Sequence, residues 1–295
     1  MKWRTNKLKD LRDDYLRELS PLYGKQEADA LLGILIERYF NMSRIDLSLQ
    51  PEYRLSESEI LRLHFAVKEL KDYRPIQYIL KYVDFLDTRL MVNESVLIPR
   101  PETEEMVQLI IEREKQAPGL RVIDIGTGSG CIAIALSRHL ENAEVFGIDI
   151  SDKALSLAGK NAFINEVMVH FRSMNILQPE EDLLPGTFDV LVSNPPYVTE
   201  SDKTFVGKNV LRHEPHEALF VSDEEPLLFY RAILYFAGEK LHSGGSIYLE
   251  INEHFGREVA ELLIQSGFAD VVVHKDIHGK DRFVLARKPG DTIPS

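Results

Sequence analysis

The chain is short of the residues that fix a fold covalently or carry it through lipid. A single cysteine, Cys131, stands among 295 residues, which excludes an internal disulfide and an all-cysteine metal cage. No apolar run approaches the ~20 residues that cross a bilayer; the longest candidates, such as residues 30–36, are far shorter. Internal repeats and low-complexity stretches are missing. The opening Met-Lys-Trp-Arg-Thr-Asn-Lys has no apolar core of a signal peptide, so no membrane association is expected and a reducing cytoplasm is the expected compartment. Basic charge is scarce too: 35 Lys and Arg face 47 Asp and Glu, a net −12. Residues 1–80 hold 14 basic and 13 acidic side chains, so the remainder carries −13. Duplex DNA is bound mainly through Lys and Arg on phosphates, so no direct nucleic-acid binding is expected, although a local basic patch stays compatible with these totals. What is present is ordinary globular usage, 44% hydrophobic and 28% charged, in a length that implies about two domains.

Up to residue 80 the apolar pattern has a helical period. Ala28, Leu31, Leu32, Leu35 and Tyr39 share one face. Ser56 and Glu59 have capping-box spacing, and Ile60, Leu63, Val67 and Leu70 make a second stripe between Pro51 and Pro75. A small helical bundle follows. Residues 81–98 read as a hairpin linker with Asp87 near its turn. From about residue 120 strands alternate with helices: strands at 121–125, 144–150, 169–171, 188–193, 245–251, 270–274 and 282–286, helices at 131–140, 151–165, 226–240 and 254–266. That alternation predicts an α/β unit with a mainly parallel sheet. The last two strands are joined by too few residues for a crossover, so they should pair antiparallel.

The first strand runs into Asp124-Ile125-Gly126-Thr127-Gly128-Ser129-Gly130. Glycines let the backbone turn sharply and let a ligand approach it. Asp149 ends the next strand 23 residues after Gly126, where an acid can bond ribose hydroxyls. The third glycine of a dinucleotide loop would fall at 131, which is Cys, and no Lys-Ser or Lys-Thr ending marks a phosphate loop. The Gly-x-Gly-x-Gly pattern resembles the loop of S-adenosylmethionine-dependent methyltransferases. A bare strand–helix turn is the alternative.

The strand at 188–193 ends in Asn194-Pro195-Pro196-Tyr197, and ligands of open α/β sheets bind outside the carboxyl ends of strands. This motif resembles that of methyltransferases acting on planar amide or amino nitrogens. Such a nitrogen has a delocalised lone pair and must be held in place. The Asn194 side-chain oxygen can accept one N–H and the Pro195 carbonyl the other, on a backbone stiffened by proline. Tyr197 can cover the flat face, and the effect is chiefly orientation. A Pro-Pro turn with no ligand is the bland alternative.

Three more stretches narrow the resemblance: Leu97-Ile98-Pro99-Arg100-Pro101-Glu102-Thr103-Glu104, Pro75-Ile76-Gln77-Tyr78-Ile79-Leu80 and Glu214-Pro215-His216-Glu217-Ala218-Leu219. Together with the two motifs they resemble the HemK family of release-factor glutamine methyltransferases over about residues 5–287. The resemblance implies a class I methyltransferase, Rossmann-like, with a seven-stranded sheet. Its domains would be a helical substrate-recognition domain at 1–80, the hairpin linker at 81–98, the methyltransferase domain at 99–288 and a tail at 289–295. It implies methyl transfer from S-adenosylmethionine to the glutamine of the Gly-Gly-Gln loop of class I peptide-chain release factors. Gly126, Thr127, Gly128, Ser129, Gly130, Asp149, Asn175, Ile176 and Asn194 would hold the cofactor. Asn194, Pro195, Pro196 and Tyr197 would hold the substrate, with Asn194, Pro195 and Tyr197 catalytic. Arg100 and Glu102 would line the cofactor entrance. Two positions depart from the family: Lys81 where it has Gly, and Asn175 where it often has an acid.

Other readings remain open at this level. Arg100 and Glu102 also suit a solvated proline-rich linker. His213 and His216 have metal-ligand spacing but no evident third ligand, and no metal is expected. Cys131 suits packing better than nucleophilic attack. Glu250, at a strand end, suits a site or a structural role equally. The same motifs would serve a glutamine methyltransferase of a large-subunit ribosomal protein. An adenine-N6 methyltransferase needs a basic stacking surface that the charge does not offer. A binding module without catalysis is disfavoured by the intact Asn-Pro-Pro-Tyr.

Overall fold

The computed structural model describes residues 5–180 and 184–290; the first four residues and most of the expected tail lie outside them. The chain divides into two units, one running to Lys81 and including Gly207–His213, the other formed by Tyr82–Val206 and the chain from Glu214 onward.

The first unit is helical. Its helices are α1 (Leu8–Tyr23), α2 (Lys25–Phe40), α3 (Arg44–Leu49), α4 (Glu57–Lys71) and α5 (Ile76–Leu80). The α2 stripe behaves as its spacing requires: Ala28, Leu32 and Leu35 are buried, with Leu31 and Tyr39 packed at the flank. The Ser56 hydroxyl accepts from the Glu59 backbone N–H while the Glu59 carboxylate accepts from that of Ser56, a complete capping box. Behind it Ile60, Leu63, Val67 and Leu70 join Leu8, Leu11, Tyr15 and Leu19 in a core of the unit's own. Lys81 caps α5 in the left-handed region, at φ 68°. Glycine takes that conformation without the steric penalty of a Cβ, so the glycine that the resemblance implies here would fit the cap without strain.

The second unit begins with the hairpin β1 (Tyr82–Phe85) and β2 (Thr88–Met91). Then come α6 (Pro101–Glu114), β3 (Arg121–Ile125), α7 (Cys131–His139), β4 (Glu144–Asp149), α8 (Asp152–Ile164), β5 (His170–Ser173), β6 (Phe188–Ser193) and the short β7 (Val198–Thr199). Helix α9 (Lys208–His213) belongs to the helical unit. The chain continues through β8 (Phe220–Val221), α10 (Leu228–Lys240), β9 (Leu241–Glu250), α11 (Gly256–Gln265), β10 (Ala269–Lys275) and β11 (Asp281–Arg287). Seven strands form one sheet in the order β10-β11-β9-β6-β3-β4-β5. β11 alone runs against its neighbours, pairing antiparallel with both β9 and β10. Apolar cores cover the two faces, one built on Ile123, Ile148, Leu191 and Ile247, the other on Val122, Val190 and Val192. Alternate residues of β3 and β6 thus serve opposite faces, which is why these strands read as continuous apolar runs.

Register decides where the polar residues meet. Ile125 lies level with Ile148 of β4 and Ser193 of β6, and Ser193 lies level with Leu249 of β9. The loop from Gly126, Asp149, Asn194 and Glu250 therefore emerge side by side at the carboxyl edge. Not expected from the sequence were α6, α9 and the β7–β8 pair. α6 does carry signals, a Pro101 at its first position and Glu102 and Glu104 in its first turn. Among the described residues no helix is long and apolar enough to cross a membrane.

Candidate active site

A cavity of about 360 Å³ opens at this edge of the second unit. Its floor is the glycine loop, where Gly126, Gly128 and Gly130 all take positive φ, at 73°, 55° and 82°. The Gly126 and Thr127 amides both donate to the Ile148 carbonyl, and the Thr127 hydroxyl donates to buried Asp124 (2.6 Å). Burial raises the Asp124 carboxyl to about 7. Gly126, Thr127, Gly128 and Ser129 line the cavity. Gly130 instead turns inward: a Cβ there would sit 3.1 Å from the Ala158 Cβ. Its positive φ and this close packing both favour glycine. Cys131 takes the lining position, and burial pushes its thiol up to about 12, so it remains a protonated packing residue.

Asp149 stands at one wall. Its Oδ2 accepts from the Gly128 amide and its Oδ1 from the Ser151 amide, both at 2.9 Å. The carboxylate is thus fixed in orientation with lone pairs left for further donors. Beyond it the cavity is apolar, with Ile150, Ile176 and Leu177 around a slot next to Asn175. Ile150 is 65% exposed although it directly follows an interior strand. The Asn175 Oδ1 accepts from the Leu177 amide (3.0 Å), which leaves that oxygen a second lone pair. Ser129 lines the floor while its Oγ is buried without a hydrogen-bond partner. A fixed carboxylate with lone pairs to spare, an apolar slot beside it and a glycine floor fit the chemistry of S-adenosylmethionine.

The opposite wall is Ser193, Asn194, Pro195 and Pro196. The Asn194 Nδ2 donates to the Thr103 hydroxyl (3.1 Å), which donates to the Glu250 Oε2 (2.7 Å). Tyr197 does not line the cavity; its hydroxyl donates to the Glu250 Oε1 at 3.0 Å. Glu250 is 1% exposed, and burial lifts its carboxyl to about 7 despite the two hydroxyl donors and nearby Arg282. Thr103 and Glu250 went unassigned in the sequence; the only local hint of the latter is a carboxylate ending a buried strand. At the rim Arg100 lines the cavity and pairs with Glu214 (2.7 Å), a carboxylate fully withdrawn from solvent that also accepts from the Ile98 amide (3.1 Å). Glu214 thus pins the segment leading into α6, while Glu102 lies outside the lining. His213 bonds the Asp72 carbonyl within the helical unit, and among the described residues no group of three or more His, Cys, Asp or Glu is placed to hold a metal.

Comparison with known proteins finds relatives over most of the chain. Residues 102–219 match the methyltransferase small domain and residues 13–80 the PrmC N-terminal domain. The chain is 44% identical to a release factor glutamine methyltransferase of Flavobacterium psychrophilum, over 94% of this chain and 98% of the relative. It is 41% identical to that of Bacteroides thetaiotaomicron, over 93% and 98%. Among solved structures, a methyltransferase from Pyrococcus furiosus superposes with a TM-score of 0.52 at 17% identity, covering 79% of this chain and all of that one. At that identity the likeness establishes the class I fold alone.

Proposed function

The chain belongs to the release factor glutamine methyltransferase family, and on that premise we propose how its residues share the transfer of a methyl group to a glutamine amide. It is an S-adenosylmethionine-dependent protein-glutamine methyltransferase, and we place its target in the Gly-Gly-Gln loop of class I release factors, met in the cytoplasm. When bound, S-adenosylmethionine supplies a methyl group made electrophilic by a positively charged sulfur. Asp149 would accept from the cofactor's ribose hydroxyls, Ile150, Ile176 and Leu177 would flank its base beside Asn175, and the glycine loop would admit its methionine end. Asn194 and the Pro195 carbonyl each take one N–H of the target amide, and Pro196 keeps that backbone stiff. The helical unit reads the protein partner.

The observation that carries this reading is the aim of Asn194. Its Nδ2 is committed to Thr103, so its Oδ1 is the atom available to a substrate N–H. A glutamine amide nitrogen is a poor nucleophile, and holding it in line with the methyl group is the main service a protein can perform. No strong base is required, because an alkylated amide cation sheds its proton readily. An Asn-Pro-Pro-Tyr site suits an adenine amino group as well, but the −13 carried by the chain beyond residue 80 disfavours a polyanionic substrate.

Replacing Asn194 tests the reading. Asn194→Ala should bind S-adenosylmethionine within a few-fold of wild type, a rough allowance for one peripheral contact. Its single-turnover rate on release factor should fall about 10²-fold or more, the scale of lost orientation. A folded variant with a near-wild-type rate contradicts the amide clamp.

A further inference from the structure

We propose that Thr103 and Glu250 are positioning residues: by fixing which way the Thr103 hydroxyl points, Glu250 fixes which way round the Asn194 amide sits, and so keeps its oxygen toward the substrate. The proposal rests on the amide-clamp reading and adds what makes that clamp one-directional.

An amide side chain is nearly symmetric in shape, and its two ends differ only in donating or accepting. Presented the wrong way, Asn194 would offer an N–H to a substrate N–H. Three contacts exclude that. An ionised Glu250 can only accept, and its two oxygens take the hydroxyl protons of Thr103 (2.7 Å) and Tyr197 (3.0 Å). With its one proton committed, Thr103 Oγ1 can only accept on its other side. The Asn194 end that faces it must then be Nδ2, as found at 3.1 Å. Turning the amide over would set Oδ1 against an oxygen with no proton to give. Thr103 and Glu250 themselves lie out of solvent, 2% and 1% exposed, so water is poorly placed to replace the bond between them.

The relay holds while Glu250 is ionised. Its surroundings bring that condition into the working range. Glu102 and Thr103 face it from α6, Cys131 from α7, Tyr197 from the loop after β6, Tyr230 from α10 and Arg282 from β11. Arg282 favours the charged form but is shared with Asp276 at 3.1 Å, and burial outweighs it, bringing the carboxyl to about 7. A carboxyl raised in this way is protonated below about 7 and ionised above it. Once protonated, it can donate to Thr103, Thr103 can donate to Asn194 Oδ1, and the amide can turn over. The transfer rate should therefore rise with pH through about 7.

The test is single-turnover methyl transfer to release factor at saturating S-adenosylmethionine, followed across neutral pH, with cofactor affinity measured by calorimetry. Thr103→Val keeps the shape and removes the hydroxyl. It should bind cofactor within a few-fold of wild type, yet transfer about 10²-fold more slowly with no rise near neutrality. Thr103→Ser should restore both the rate and the rise. Glu250→Gln, which cannot ionise, should flatten the profile. Thr103→Val at the wild-type rate would overturn the proposal. So would a rise surviving in Glu250→Gln, since it would then belong to another carboxyl such as Asp124. Asn194→Ala run alongside separates the two levels: fast transfer there defeats the clamp itself, whereas a slow Asn194→Ala beside a fast Thr103→Val defeats only the relay.

Discussion

A carboxylate is most useful to a ligand when the protein has already decided where its oxygens point. Asp149 spends one lone pair of each oxygen on a backbone N–H, from Gly128 and Ser151. Those bonds tie the acceptor to the glycine loop on one side and to the cap of α8 on the other. Removing the side chain deletes an acceptor for two hydroxyls and frees both amides. Asp149→Ala should weaken S-adenosylmethionine binding by roughly 1–3 kcal/mol, the cost of unmaking hydrogen bonds to a charged group. Titration calorimetry decides it, and an unchanged affinity contradicts the assignment. Burial also raises the Asp149 carboxyl above its ordinary value. As pH falls it takes up a proton sooner than a free aspartate would, so binding should weaken on the acid side and never on the alkaline side.

At the scale of elements, α8 links the hairpin to the cofactor floor. Asn161 accepts from the Met91 amide (2.7 Å) and donates to the carbonyls of Met91 (3.0 Å) and Ser129 (2.9 Å). Asn165 does the same for the Arg89 amide and carbonyl. Two asparagine side chains thus pair the open edge of β2, as a neighbouring strand would. Asn161→Ala leaves three backbone groups unpaired at a fully buried position. It should cost on the order of 3 kcal/mol of stability, read from denaturant melts, and it should lower cofactor affinity through Ser129. A loss below about 0.5 kcal/mol, the size of an ordinary surface substitution, would show the tie to be idle. These contacts also mark how far local pattern reaches. The α2 and α4 stripes, the Ser56 capping box, the β/α alternation, the glycine loop, Asp149 and Asn194 are all written in spacings of a few residues. The Thr103–Glu250 bond joins residues 147 apart, and Glu214 reaches Ile98 across 116. Such pairs come from sheet register and crossover, which no short spacing encodes. Direction is likewise illegible: Tyr197 was expected over the substrate and turns to Glu250, and Gly130 was expected at the ligand and turns to Ala158.

The whole molecule is built from two units with cores of their own. The nearly neutral stretch to residue 80 contrasts with the −13 that follows. The acidic part carries the cavity and the Asn194 wall. The chemistry we propose at that wall, an oxygen from Asn194 and one from Pro195 for two N–H groups of a planar nitrogen, would serve several substrates. Its application to release factor is the central claim. The most direct test offers labelled S-adenosylmethionine to the full-length protein with purified release factor, large-subunit ribosomal protein and duplex DNA in parallel, and locates the label by mass spectrometry. The label should enter release factor alone, on the side-chain amide of the Gly-Gly-Gln glutamine. Label in DNA or ribosomal protein with release factor unmarked would contradict it.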